Sequence, residues 1–351
     1  MRSILLVVAS FAVTILAWGL YGPVLHWGQH EMSTIGKFAR LRPFICVGLA
    51  YFAIGVVVPA VLLKLKGEQG EWTVRGIVYS LAGGALGAIG ALGIIMAFNF
   101  GGTPIFVMPL VFGGAPVVNS FLTIYWAKRM KEIGPIFMAG LVMVLLGAVT
   151  VLIFKPTAPE PNAQAEATKV DDAAAESASA VAEPESHKMR DFILRIASIA
   201  TTILCWGAYG PVLHKGQAAM QNSRLRPLLC VGLAYFAIAV IVPKLLLATV
   251  VPEASEFNWN GTAWSLAAGA AGAIGAIGII MAFNFGGKPV FVMPLIFGGA
   301  PVVNTLFTTF TNGLWGEVDA FFLAGLILVI AGAAMVLVFA PKSPPPVKRE
   351  V

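Results

Sequence analysis

Long apolar runs separated by short polar breaks dominate the chain. Ten such blocks lie at about 3–25, 43–63, 76–98, 104–126, 135–154, 191–213, 227–250, 261–284, 289–311 and 320–340. A helix needs about 20 predominantly apolar residues to cross about 30 Å of hydrocarbon. The strict alternation of a transmembrane barrel is absent. In lipid only helices and closed barrels satisfy the backbone. The pattern therefore predicts an all-α integral membrane protein with ten transmembrane helices.

Composition narrows the class. Hydrophobic residues make up 58% of the 351 and charged residues only 11%, against about 25% charged in soluble domains. A soluble cytosolic enzyme is excluded. The net charge of +6 does not signal nucleic acid, because the basic residues stand singly beside apolar blocks, where they anchor helices in a membrane. Three cysteines without CxxC spacing argue against a disulfide framework and a zinc site. No metal and no cofactor are expected.

The chain repeats itself at a period of 184–188 residues, the signature of a duplicated unit. WGLYGPVLH at positions 18–26 recurs as WGAYGPVLH at 206–214, and RLRPFICVGLAYFAI at 40–54 as RLRPLLCVGLAYFAI at 224–238. Residues 87–119 match 272–304 at 29 of 33 positions. The first block has an internal twin, so it reads as a retained helix and not a signal peptide. Each copy holds five blocks. An odd number predicts that the second copy enters the membrane upside down, the inverted-repeat arrangement of secondary transporters.

The units are thus 1–154 and 191–341, with a linker at 155–190 and a tail at 342–351. The linker is rich in Ala, Glu, Pro and Ser and lacks aromatic residues, so it is expected to be disordered. The side holding both termini carries 14 Lys and Arg; the other carries 7, of which 4 lie in the linker. The positive-inside rule then predicts cytoplasmic termini and an external linker in a cell (inner) membrane.

On these residues the chain resembles the drug/metabolite transporter superfamily, in its EamA-like branch. The WG near the end of the first block, the Gly/Pro-rich fourth block and the five-plus-five duplication carry the resemblance, over nearly the whole chain except linker and tail. It implies a central cavity lined by helices 1, 3 and 4 and by 6, 8 and 9. The chain departs from that pattern in its long linker. It also lacks the mid-membrane Glu that small multidrug members use for proton exchange.

Candidate residues fall in twin positions. Gly113 and Gly114, flanked by Pro109 and Pro116, repeat as Gly298 and Gly299 between Pro294 and Pro301. At about 1.5 Å per residue the doublets lie about 14–15 Å deep, near the midplane. They predict breakable helices at a transport site, or else close packing. Asn119 and Asn304, about 22 Å into their helices, serve either the site or an interhelical hydrogen bond. Trp18 and Trp206 are expected in a cavity wall, and Tyr21 and Tyr209 in the interfacial aromatic belt. His26 and His214 lie toward the far interface, at a mouth and not in a proton relay. Arg40, Arg42, Arg224 and Arg226 anchor lipid headgroups or line cationic mouths. Asn99 and Asn284 are expected to cap their helices. The glycines of the third and eighth blocks read as packing positions.

The expected function is secondary transport of a small neutral or zwitterionic metabolite by alternating access, since the apolar core offers amide, indole and phenol groups and no carboxylate. The partners are the substrate and the bilayer, without nucleic acid, in a monomer or homodimer. A passive facilitator or channel on the same scaffold is the alternative, with a membrane sensor behind it. An enzyme is not expected, because no nucleophile–base set or ligand cluster falls within the bilayer.

Overall fold

The computed structural model describes residues 2–34, 38–154, 156, 185–249, 253 and 255–339. Among these residues all regular structure is helical, without strands. In chain order the helices are α1 (Arg2–Met32), α2 (Leu41–Lys66), α3 (Val74–Asn99), α4 (Pro104–Trp126) and α5 (Pro135–Ile153). After the linker come α6 (Glu185–Ala219), α7 (Leu225–Thr249), α8 (Trp259–Asn284), α9 (Pro289–Thr311) and α10 (Ala320–Phe339). Seven of them, α1–α3 and α6–α9, are long and apolar enough to cross a membrane, as in a multi-pass membrane protein. Helices α4, α5 and α10 contribute shorter apolar stretches.

Two boundaries differ from the apolar blocks. Helix α1 runs seven residues past its block to Met32, and α6 runs from Glu185 to Ala219. Both pass through an internal proline, Pro23 or Pro211. The last six residues of the supposed linker are therefore helical. Positions 157–184 and the tail 342–351 lie outside the described residues.

Local chemistry explains the ends. Thr73 accepts from Gly76 N at the start of α3, and Asn258 accepts from Gly261 N at the start of α8. Pro104, Pro135 and Pro289 open α4, α5 and α9, where the missing N–H costs nothing. Helix α3 closes on Gly101 at φ +80°. There Gly102 N bonds Ala97 O and Gly101 N bonds Phe98 O, the paired pattern that a left-handed glycine allows. Helices α2 and α7 each contain a π segment, Ala53–Val57 and Phe236–Ile241. Pro59 and Pro243 follow these segments; each ring pushes away the carbonyl four residues earlier and widens the turn.

The halves interlock. Helix α1 packs chiefly on α8 and α9, and α6 on α3 and α4. Small residues permit this approach, as expected where helices pack in lipid. Contacts fix the directions. Gly48 lies against Ala239, and Gly55 against Gly232, so α2 and α7 are antiparallel. Gly84 faces Val231 and Gly87 faces Tyr235, so α3 is parallel to α7. Gly28 faces Ser265 and Gly278 faces Thr14, so α1 is antiparallel to α8. Gly269 faces Val47 and Gly272 faces Tyr51, so α8 is parallel to α2; Gly216 faces Ser80 and Gly93 faces Thr202, so α6 is antiparallel to α3. Taken together, α1 and α6 run in opposite directions, and their C-terminal ends lie at opposite ends of the molecule.

Candidate functional site

Helices α1 and α6 meet at the centre, where the Trp18 and Trp206 rings stack with centroids 5.6 Å apart. Each indole N–H reaches a backbone carbonyl of the other half. Trp18 Nε1 donates to Gly272 O at 3.3 Å, and Trp206 Nε1 donates to Gly87 O at 3.2 Å. Tyr209 packs on Trp18 and Tyr21 on Trp206. Tyr51 of α2 stacks on Tyr235 of α7 in parallel planes, 3.5 Å apart. These six aromatic residues surround a cavity of about 10 Å³, room for one water at most. The centre is closed.

A larger recess lies at each end. At the α1 end a vestibule of about 720 Å³ is lined by Pro23, His26, Trp27, His30, Glu31, Pro104, Trp264 and Thr308, among others. At the α6 end a vestibule of about 400 Å³ is lined by Pro211, His214, Lys215, Thr123, Trp126, Arg129, Lys288 and Pro289, among others. The two use the same positions of the two copies: Pro23 and Pro211, His26 and His214, Trp27 and Lys215, Pro104 and Pro289, Thr308 and Thr123.

Helices α4 and α9 lie between the recesses and are tied end to end. Asn119 Nδ2 donates to Pro289 O at 3.0 Å, and Asn304 Nδ2 donates to Pro104 O at 3.5 Å. Both asparagines are fully buried. Their Oδ1 atoms, with Thr123 Oγ1 and Thr308 Oγ1, have no hydrogen-bond partner among the described residues. A line of unpaired polar atoms, two amide acceptors and two hydroxyls, thus follows α4 and α9 toward the vestibules.

Two carboxylates clamp the scaffold at its ends. Glu253, just beyond α7, accepts from the backbone N–H groups of Arg40, Leu41 and Arg42 at the start of α2. It also pairs with the Arg40 and Arg42 side chains. Glu68, just beyond α2, accepts from the backbone N–H groups of Arg224 and Leu225 and from Ser223 Oγ at the start of α7. It pairs with Arg224 at 3.0 Å and Arg226 at 3.6 Å. Burial would raise the Glu68 carboxyl, but the hydrogen bonds from Ser223, Arg224 and Leu225 outweigh it and hold it below the usual carboxylate range.

Trp18 and Trp206 line the small central cavity. Tyr21 and Tyr209 sit beside them, each 3% exposed, which corrects the aromatic-belt expectation: their rings fill the gap left by the helix crossing. Gly113 and Gly298 are buried, and α4 and α9 run through both doublets without a break. A Cβ on Gly114 would lie 2.8 Å from Ile203, and one on Gly299 2.8 Å from Ile15, so these positions let α6 and α1 approach. His26 and His214 line the vestibules and pack on Phe98 and Phe283. The arginines are held by Glu253 and Glu68 instead of standing free at a mouth. Asn99 and Asn284 are the last residues of their helices, with the closing bonds made by the following glycines; Asn284 Nδ2 also donates to Asn222 O at 2.9 Å.

Sequence reasoning missed Tyr51, Tyr235, Lys215, Lys288 and Thr308. The tyrosines were marked by their position in the repeated VGLAYFAI run. Lysines 215 and 288 were marked by the reverse signal, a charge in one copy where the other has Trp27 or Thr103. No group of His, Cys, Asp and Glu that could hold a metal occurs among the described residues.

No family model matches the chain, and no curated protein matches it. The fold is similar to that of a protein known from a crystal structure, with a TM-score of 0.60 over 95% of this chain and 97% of that one, at 16% identity. That likeness concerns the fold alone.

Proposed function

We propose that the protein is a secondary transporter of the drug/metabolite transporter kind, with ten spans in two inverted five-helix repeats, moving a small metabolite by alternating access. The observation that carries this reading is the closed aromatic centre between two vestibules at opposite ends. A carrier caught between its inward-open and outward-open forms has that shape, with the centre opening to one recess at a time. The antiparallel run of α1 against α6 and of α2 against α7 supports the inverted repeat. The equal 23-residue lengths of α4 and α9 support counting α4 as a span.

A neutral or zwitterionic substrate fits a centre built from indole and phenol groups. The termini lie in the cytoplasm and the linker outside, in a cell membrane. A reporter after Val351 and a protease site near Ala175 should then report opposite sides; the same side for both overturns the inverted arrangement. The function itself is tested by a thermal-shift screen against metabolites, followed by counterflow of the labelled hit in proteoliposomes. Saturable counterflow supports a carrier. Flux without counterflow indicates a channel.

A further inference from the structure

The two vestibules occupy twin positions and differ in charge. At the α6 end Lys215 on α6 and Lys288 at the start of α9 converge on one recess. Arg129 joins them, although its charge is met by Glu132 at 3.1 Å. No acidic residue lines this recess among the described residues. The Lys215 ammonium lies 3.4 Å from the centre of the Trp126 ring, so the ring holds the charge in place without neutralising it. Helix α9 opens into the same recess without a side-chain cap, and its positive end adds to the field. At the α1 end the twins of the two lysines are Trp27 and Thr103, and Glu31 joins the lining.

The rest of the α6-end recess is apolar, with Ile124, Pro211, Val290 and the Trp126 ring. A recess of about 400 Å³ is of the size that takes a small organic ligand. From the paired lysines against this apolar wall we infer that the α6-end vestibule is a binding site for small organic carboxylates with an apolar body. The α1-end vestibule does not select for that charge. The carboxylate sits between Lys215 and Lys288, and the apolar body lies on Val290 and Pro211. The inference rests on the transporter reading for its purpose and narrows its substrate to the zwitterionic kind, whose carboxylate the lysines hold, so that the α6 end is the face of higher apparent affinity. The binding site itself does not depend on transport.

The test uses the full-length purified protein and two matched pairs of probes, benzoate with benzamide and hexanoate with hexanamide, at pH 7.5. Each acid should bind at least tenfold more tightly than its amide. The double variant Lys215→Trp, Lys288→Thr places in this vestibule the residues found at the twin positions, and it should narrow the ratio below threefold at an unchanged melting temperature. The exposed Lys288→Thr alone should narrow it partway, which keeps the test open if the double variant folds poorly. In the opposite vestibule Thr103→Lys should raise carboxylate affinity. Equal affinity for acid and amide, or a ratio that survives the double variant, overturns the inference. So does protection by phosphatidylglycerol vesicles without any effect of the soluble acids, which would make the recess a lipid-headgroup site. Acid preference lost in the double variant, but without counterflow of any hit from the metabolite screen, supports the site and removes the carrier. Counterflow without acid preference does the reverse.

Discussion

The centre of the molecule and its two ends treat the duplication differently. At the centre, residues meet their own twins: Trp18 stacks on Trp206 and Tyr51 on Tyr235, and Phe52 packs at a tilt on Phe236. A change there alters one contact from both sides, and each of these pairs is identical in the two copies. At the ends a residue faces solvent and the partners of its own recess. There Trp27 stands against Lys215, Thr103 against Lys288 and Leu314 against Arg129. Self-contact holds the two copies alike, and its absence lets one vestibule acquire a charge the other lacks.

The largest effect should come from the tight helix crossings. A Cβ on Gly84 would lie 2.7 Å from Val231 Cα, and one on Gly269 2.7 Å from Val47 Cα. Backbone cannot yield there as a side chain can. Gly84→Leu and Gly269→Leu should each cost about 3 kcal/mol, read as a drop in melting temperature in detergent. A large loss from one and none from the other would break the equivalence of the copies.

The carboxylate clamps come next. The Glu68 and Glu253 side chains are 5% and 3% exposed, so their hydrogen bonds are shielded from water. Glu68→Gln and Glu253→Gln should each cost about 2 kcal/mol, the scale of hydrogen bonds to a charged group. Because the folded Glu68 carboxyl lies below its unfolded value, its contribution is full above the unfolded value and is lost as pH falls through the folded one. Melting temperature against pH should therefore fall in the acid range for the wild type and less steeply for Glu68→Gln. Parallel curves would contradict the clamp.

The smallest effect belongs to the ties between α4 and α9. Asn119→Ala and Asn304→Ala should each cost about 0.6 kcal/mol, as interhelical amide bonds do in membranes. The hydrogen bond of Asn119 is the shorter, so its loss should cost the more of the two. If the double variant leaves the melting temperature unchanged and weakens binding of a hit from the metabolite screen, the unpaired Oδ1 atoms belong to the proposed transport path.

The apolar blocks made the helices legible to within a few residues, because burial in lipid demands continuous apolar length. They failed at α1 and α6, whose extended ends carry His30 and Lys215 beside the recesses and bury Gln29 and Gln217 against backbone carbonyls. The repeat made Trp18 and Trp206 legible as a pair. It did not reveal that they stack on each other, since directions in space come from the antiparallel packing. The arginine pairs were misread because their partners are remote: Glu253 lies more than 200 residues from Arg40, and Glu68 more than 150 from Arg224. The vestibule lysines were hidden because a search for identities passes over the positions where copies differ.

The crossed packing of α1 has a consequence for biosynthesis. Thr14 and Trp18 donate to carbonyls of α8, and residues 33–258 must be made between the end of α1 and the start of α8. At about 5–20 residues per second that takes roughly 10–45 s. Through that interval the first helix stands in the bilayer without the carbonyls it is built to meet. Helix α6 emerges with α3 already in place. A chaperone or insertase that shelters polar faces in the membrane should therefore hold the nascent first half and release it once α8 appears, and ribosomes stalled before Trp259 should still carry it.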